Sequence, residues 1–583
     1  MLGKLTRLSI IFITFHVYSQ TVVEIHATPI KDLDPLENLT DEISSSELER
    51  TKHQNSHHVF KDISGINGNE TFSQIFMRGG ETYHTLVIVD GVILNDPSSP
   101  NRSFDFSQIR FLDIEEIKIF KGPSAALFGE GITGAIVIKT KTGKQKKTNI
   151  TAGYGSYQKY LVSASAGNKK NKFSYFIQTD YETEEGKSQK NSPGGKDELD
   201  QKKYSQIGVN TLYEFKSRSR FGFLSKFNNN YQEIDSFLGD RAGFYSENKT
   251  MLGKINFDFE IDSDLDANSI SYSYSRHNRD THDDWNTRFK SENHLFKIQS
   301  KLRLTDYQHL TGEYFYKQES DLSPNPSVQK KKYYENSFAI LHTLDLNPLE
   351  TTYSMRFNTT EMDDNLPSVY LKNSIRLNPA LLAGLQLGNS YQIPSLYQVS
   401  DLVYGNPDLK IEKSQSYELF LKYAKNRFNY QQSFYLTRIK DKFSYDPQTY
   451  RTTNGNRADI RGLESTIIYQ LENGLELRVG FERLRTFSYE TKKQLTRRPS
   501  YKYSSGVKFN EYKLQGVWVG RSDDVNGVNS SYYTFDFSYQ KKLAGSLLMT
   551  FYINNIFNKH YHEVLGYSPQ ERTFYAQLSW EMI

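Results

Sequence analysis

Cysteine is absent from all 583 residues of the chain. That excludes disulfides, a thiolate metal centre, a cysteine nucleophile and a lipidated cysteine. Long hydrophobic runs are missing too: beyond the first twenty or so positions nothing approaches the roughly eighteen apolar residues of a membrane helix. Mean hydropathy is −0.66, so any crossing of a bilayer must be by strands. Charge of one sign is also lacking. The 72 basic and 68 acidic residues leave +4, too weak a field to draw in nucleic acid, and no nucleic-acid partner is expected. Catalytic motifs fail on inspection. "GKS" at Gly186 has Tyr181 where a phosphate-binding loop needs glycine, "HEVLG" at His562 lacks the second histidine of a zincin helix, and no Gly-x-Ser-x-Gly elbow occurs. The chain is not expected to be an enzyme.

Aromatic residues are plentiful instead, with 41 Tyr and 37 Phe. These suit pleated, half-exposed surfaces and the girdles where protein meets a membrane interface. At the start, Lys4 and Arg7 precede an apolar run from Leu8 to about Val17, and Ser19 is a small residue at a cleavage position. This predicts a signal peptide over residues 1–19, and hence export.

From about Thr21 to Lys141 the chain mixes short apolar strands, such as "TLVIVDGVIL" (85–94), with one short helix, "NSHHVFKDIS" (55–64). That mixture predicts a compact α+β unit. Beyond Gly143 the pattern becomes alternation. Tyr533, Phe535, Phe537 and Tyr539 share one face while Thr534, Asp536 and Ser538 share the other, and Phe221, Phe223 and Phe227 repeat the pattern. A period of two, apolar on one side and polar on the other, marks membrane barrel strands. At about 20 residues per strand with its connection, the remaining chain accommodates roughly 22 antiparallel strands. A bore that wide must be plugged. The last segment, "RTFYAQLSWEMI", alternates to the chain end and is expected to close the cylinder against the first barrel strand. A soluble sandwich or propeller also alternates, but here the pattern recurs beyond Gly143 without helical interruption, its segments separated by polar, charged stretches such as residues 184–203.

The stretch "IEEIKIFKGPSAALFGEGITGAIVIKTK" (114–141) closely resembles the plug signature of TonB-dependent outer-membrane receptors. "IFMRGG" (75–80) and "VDGV" (89–92) resemble two further plug segments, and "YGNPDLKIEKS" (404–414), "RGLE" (461–464) and "NNIFNKHY" (554–561) are similar to barrel motifs of that family. The resemblance implies residues 20–30 as a TonB box and linker, 31–142 as a plug inside the lumen and 143–583 as the barrel. Thr21, Val22, Val23, Glu24, Ile25, His26 and Ala27 resemble the TonB box, an extended segment able to add a strand to the edge of its partner. The implied partners are TonB with its ExbB/ExbD complex, the outer-membrane bilayer and a small-molecule ligand, with the receptor itself a monomer. In the plug, Gly79, Asp90, Gly91, Gly122, Pro123, Gly129 and Gly134 are expected to set tight turns and close approaches, with Arg78 and Glu115 as a buried ion pair.

The implied activity is energy-coupled uptake of a scarce nutrient across the outer membrane. A passive porin is the reading from another class, but it needs neither box nor plug. Between Gln20 and the plug no added signalling domain is expected. The layout is similar to that of the family's cobalamin receptors, which makes cobalamin or a related corrinoid the first expectation for cargo. A ferric siderophore is the alternative. Haem ranks lower, because no histidine precedes Asn-Pro-x-Leu in residues 393–409. Carried over by position, the ligand contacts are Phe72, Gln74, Glu81, Asn95, Ser99, Pro100 and Arg497. The same resemblance implies calcium in the outer loops, held by Asp197, Glu198, Asp200, Asp235 and Asp240, although Ser188 stands where one carboxylate is expected. The chain ends in Ile583 where the family has an aromatic residue.

Overall fold

The computed structural model describes residues 41–582 except 44, 52–54, 189, 191–198, 216–217, 236–241, 262–265, 325–331, 364, 526, 544 and 568–570. The expected signal peptide and TonB box lie outside the described residues.

Twenty-two antiparallel strands form a closed barrel. The last, Thr573–Met582, pairs with the first, Lys147–Gly155, so no edge is left unpaired. Alternation sets the two surfaces of this wall. Leu578 and Trp580 are 47% and 52% exposed on the outside, whereas Gln577 and Ser579 between them are 2% and 5% exposed, facing the packed lumen. None of the described helices is long and apolar enough to cross a membrane.

The connections are unequal. At the end where the barrel begins and finishes, turns are tight, as at Asn426 and Asn510, whose positive φ values of 54° and 51° suit asparagine. Most connections at the other end are long and carry structure of their own. The segment before Glu412 contains the helix Leu396–Ser400, and the segment after Lys440 contains the hairpin of Phe443–Asp446 with Arg451–Asn454.

The N-terminal domain sits inside the wall. Its five-stranded sheet runs Asp41–Ile43, Ile114–Lys121, Gly134–Thr140, Thr85–Val89, Val92–Ile93, with one parallel pairing, between Thr85–Val89 and Gly134–Thr140. Asp90 and Gly91 both have positive φ (50° and 86°), the conformation of a two-residue hairpin turn, and Asp90 braces it by accepting from the Thr140 backbone N–H at 3.0 Å. Gly134 is required by close approach, because a Cβ there would strike the carbonyl of Phe120. Gly122 and Gly129 flank a short helix, Ala125–Phe128, within the stretch that resembles the plug signature, and Pro123 beside it packs against Gly388 of the wall. The helix predicted over 55–64 spans Ser56–Phe60, capped by Asn55, whose side chain accepts from the His58 N–H.

Leu48, Val59, Phe60, Ile66, Ile75, Ile117 and Ile136 belong to one buried cluster of this domain, to which the wall adds only Leu224 and Leu252. The domain therefore carries its own core. Its contact with the wall combines ion pairs and hydrogen bonds with smaller apolar patches, such as Ile132 against Tyr435, Ile439 and Ile460, and Leu86 and Phe120 with Tyr370.

Candidate functional site: the plug seam and the outer face

Arg78 follows the strand Gln74–Met77 directly and has a positive φ of 47°, which turns its side chain out of the sheet toward the wall. Its Nη1 and Nη2 donate to Glu418 Oε2 and Oε1 at 2.8 and 3.0 Å, and its Nε donates to Glu464 Oε1 at 3.0 Å. The guanidinium also lies 4.4 Å from the Tyr435 ring centroid. Burial alone would lower its pKa, but Glu418 and Glu464 outweigh that and hold Arg78 well above the usual arginine range. Lys121 extends the cluster, 3.4 Å from Glu464 and 2.9 Å from Asp41, the first described residue. The expected pairing of Arg78 with Glu115 is not formed. Glu115 lies on the strand Ile114–Lys121 of the five-stranded sheet and pairs at 2.8 Å with exposed Lys144 instead.

Nearer the long-loop end, Arg102 makes a second cluster. It reaches Glu319 of the wall at 2.5 Å and Glu130 of its own domain at 3.2 Å, and Lys317 joins Glu130, Glu319 and Glu335 at 3.4, 3.4 and 2.7 Å. His84 and Tyr83 contact Glu412 at 2.6 and 3.0 Å. Elsewhere, cations of the wall donate to backbone carbonyls of the domain: Lys502 to Ile63 and Ile66, Lys254 to Asp90, and Arg356 to Leu127.

The residues carried over as ligand contacts divide into two groups. Phe72 and Pro100 are exposed and Gln74 is half-buried. Asn95 and Ser99 are only 2% and 1% exposed. Asn95 ties its loop together, accepting from Val87 N–H and donating to the carbonyls of Thr85 and Arg102, and Ser99 donates to the carbonyl of Asp96. Both brace their loop, and neither side chain is exposed. Glu81 pairs with Arg498 and Lys442 at 2.6 and 3.0 Å. Burial opposes its ionisation, yet these cations hold its carboxyl far below the usual range. Arg497 pairs with Asp524 at 3.0 Å. Its neighbour Arg498 is the one that grips the domain, donating to the carbonyls of Gly79 and Gly80 at 3.2 and 2.8 Å and lying over Phe76.

The last long loop also touches the domain. Glu563 accepts from the Glu70 backbone N–H at 2.7 Å, and Tyr567 meets Phe72 ring to ring at 5.1 Å. Burial and then Glu70 push the Glu563 carboxyl up to about 8. His57, 3.7 Å away, offers no countercharge, since burial pulls it down to about 3.

Of the residues expected to hold calcium, Asp197, Glu198 and Asp240 lie outside the described residues. Asp200 is buried, and Asp235 accepts from the Lys190 N–H at 3.0 Å. Two side chains fall short of the six to eight oxygens calcium takes. Among the described residues no group of three or more His, Asp or Glu could hold a metal ion.

On the wall above the domain's 95–101 loop, Arg279 lies 4.6 Å from the Phe289 ring centroid, and Phe289 meets Tyr397 at 5.4 Å. The loop is tied to this wall by the Leu396 N–H, which donates to Pro97 at 2.8 Å.

Two family models match the chain: the TonB-dependent receptor plug domain over residues 36–136 and the TonB-dependent receptor-like β-barrel over residues 143–556. Solved structures of similar fold include the siderophore receptor PirA from Acinetobacter baumannii, with 16% identity, 94% of this chain and 98% of that one covered, and a TM-score of 0.80. The FrpB iron transporter from Neisseria meningitidis aligns with 13% identity, coverage of 93% and 99%, and a TM-score of 0.77. A ferric enterobactin receptor, PfeA from Pseudomonas aeruginosa, gives 16% identity, coverage of 93% and 99%, and a TM-score of 0.80. A plug seated in a closed wall, fastened by charged side chains and matched across both of its parts, places this chain in the family of TonB-dependent receptors.

Proposed function

We propose that this receptor takes up a ferric siderophore across the outer membrane, powered by TonB and its ExbB/ExbD complex acting on the segment around Thr21–Ala27. The observation that carries the cargo reading is the Arg279–Phe289–Tyr397 wall beside the plug's outer loop. A guanidinium over aromatic rings suits an anionic chelate built from aromatic groups. The iron and siderophore receptors of similar fold support the same class. The cobalamin reading loses its residue-level support, because Asn95 and Ser99 are buried and Glu81 and Arg497 are engaged in ion pairs. Calcium in the loops at 185–201 and 234–244 is a secondary proposal, resting on the acidic residues there and tested by calorimetric titration of Ca²⁺.

The seam suits this work. Moving the plug exchanges hydrogen bonds and ion pairs for water and parts the small apolar patches at the seam, such as Ile132 with Ile439 and Ile460, but leaves the plug's own larger apolar core closed, so displacement need not unfold it. Ligand held outside favours one arrangement of plug and loops, and that bias releases the N-terminal segment inward. Titrating purified receptor with ferric enterobactin, haemin and cyanocobalamin, read by tyrosine fluorescence, tests the cargo. Ferric enterobactin should saturate the signal, and Arg279→Gln should weaken it at least about tenfold, the loss of one charge-assisted contact. Saturation by cyanocobalamin at micromolar concentration with no response to the ferric chelate would overturn the siderophore reading. Deleting residues 21–27 should abolish uptake while leaving surface binding intact.

A further inference from the structure

One patch on the outside of the barrel has a charge pattern that the fold does not require. Three neighbouring strands, Ala458–Gln470, Glu476–Ser488 and Tyr501–Phe509, form this part of the wall. Arg461 and Arg485 stand directly opposite each other in the ladder, and Arg483 stands opposite Tyr501. Their chain neighbours Ile460 and Leu484 are 0% exposed toward the plug, so the three guanidiniums point away from the lumen. Like charges opposed across a ladder are destabilising. Relief is scarce. Asp459 is the acid in reach, and Arg457 already occupies it at 2.6 Å, leaving Arg461 at 3.5 Å. Arg483 lies over the Tyr501 ring at 5.5 Å, and among the described residues neither it nor Arg485 has a carboxylate partner.

A second patch shows the ordinary solution. On strands Asp266–His282 and Arg288–Thr305, Arg276 and Arg288 are also outward and lie near the long-loop end, but each is paired, with Glu292 at 3.3 Å and Asp280 at 2.5 Å. In the first patch, by contrast, Arg461 shares Asp459 with Arg457, and Arg483 and Arg485 have no carboxylate partner among the described residues. Arg461, Arg483 and Arg485 border a groove of about 430 Å³ that Tyr489 and Tyr501 also line. Toward the tight-turn end, the same three strands present Leu463, Phe481 and Tyr503 outward, the apolar and aromatic belt of a membrane barrel. The groove therefore sits where that belt gives way to charge.

We propose that this groove binds a phosphate-bearing lipid headgroup of the surrounding outer leaflet, its phosphates taken by Arg461, Arg483 and Arg485 and its acyl chains lying along the belt below. Guanidinium forks match phosphate oxygens in pairs, and a phosphate between Arg461 and Arg485 turns their repulsion into joint attraction. The continuity of groove and belt favours a lipid over free phosphate. The site is separate from the cargo route and does not depend on which cargo is carried.

The test uses the full-length receptor in detergent and native mass spectrometry with three probes: diphosphorylated lipid A, the same lipid with its phosphates removed, and sodium phosphate. Retention of diphosphorylated lipid A is expected, with a loss of at least about tenfold in the Arg461→Gln, Arg483→Gln, Arg485→Gln triple variant. Arg288→Gln, from the paired patch, should bind like the parent. Equal retention by the triple variant, or equal retention of the dephosphorylated lipid, overturns the site. Binding of sodium phosphate alone that matches the phosphorylated lipid overturns the lipid assignment in favour of a free-anion site. Heat-modifiable gel mobility confirms that each variant is a folded barrel, and Arg485→Gln alone, expected to show a smaller loss, serves if the triple variant does not fold.

Discussion

The clusters at Arg78 and Arg102 have the same charge composition, two cations with three carboxylates, yet they divide differently between plug and wall. Around Arg78, the carboxylates Glu418 and Glu464 both belong to the wall, and the plug's Asp41 serves Lys121. Around Arg102, the plug owns Glu130 and the wall owns Lys317, Glu319 and Glu335. If the plug shifts, Arg102 leaves with Glu130 as its partner and Lys317 stays with Glu319 and Glu335, so each half keeps a countercharge. Arg78 leaves alone. Its surroundings differ to match: Arg78, Lys121, Glu418 and Glu464 line a cavity of about 80 Å³, room for several waters that could take over its hydrogen bonds. The lesson is that a buried latch opens readily either by keeping a countercharge on each side or by having water at hand.

The largest expected effect is at Arg78. Arg78→Ala takes from Glu418 the guanidinium that grips both of its carboxylate oxygens, and removing one partner of a buried pair costs roughly 3–5 kcal/mol. Hydrogen exchange of Gln74–Met77 should accelerate accordingly, and more than after Arg102→Ala, where Lys317 still serves Glu319. Equal acceleration in both variants would remove the distinction between the clusters. Next comes Glu130→Gln, which takes away the countercharge that travels with Arg102. Surface binding of ferric enterobactin should be unchanged and the uptake rate should fall several-fold. A fall in binding instead would mean that the cluster shapes the ligand site.

At the outer rim a smaller contrast applies. Arg498→Ala frees two plug carbonyls and takes one of the two cations on Glu81, costing about 1–3 kcal/mol in plug seating, whereas Arg497→Ala breaks only a partly exposed pair worth ~0–1 kcal/mol. Thermal unfolding of the two variants checks the order. The smallest effect is in the pH dependence of the loop contact at Glu563. A carboxyl raised to about 8 in the folded protein binds its proton more tightly there than when the loop is free, so the contact is fully stabilised at low pH and weakens as pH rises from the ordinary glutamate range through about 8. Hydrogen exchange at Glu70 should accelerate over that window in the parent and not in Glu563→Gln.

The barrel was largely legible in the sequence because alternation is a local signal: each strand repeats it, and Phe574 through Trp580 show it to the end of the chain. The plug was legible through short motifs, including the Asp90–Gly91 turn, whose chemistry lies within a few residues. The latches were not. Arg78 could be singled out, but Glu418 and Glu464 lie 340 and 386 residues away, and only the closure of the wall brings them near. Glu115 was the nearer acid in sequence and faces Lys144 because strand register decides direction. At Arg497 and Arg498 the chain is in a loop, where no period says which side chain turns inward. The outward arginines at 461, 483 and 485 were invisible for the opposite reason: each is an ordinary surface residue until the ladder sets two of them face to face.

The most direct measurement is the conductance of single receptors in planar bilayers, with and without residues 41–142. A bore stoppered by its own N-terminal domain gives a silent parent and a large, steady conductance once that domain is deleted, with Arg78→Ala opening intermittently in between. A parent that already conducts as the deletion does would show that those residues do not close the barrel.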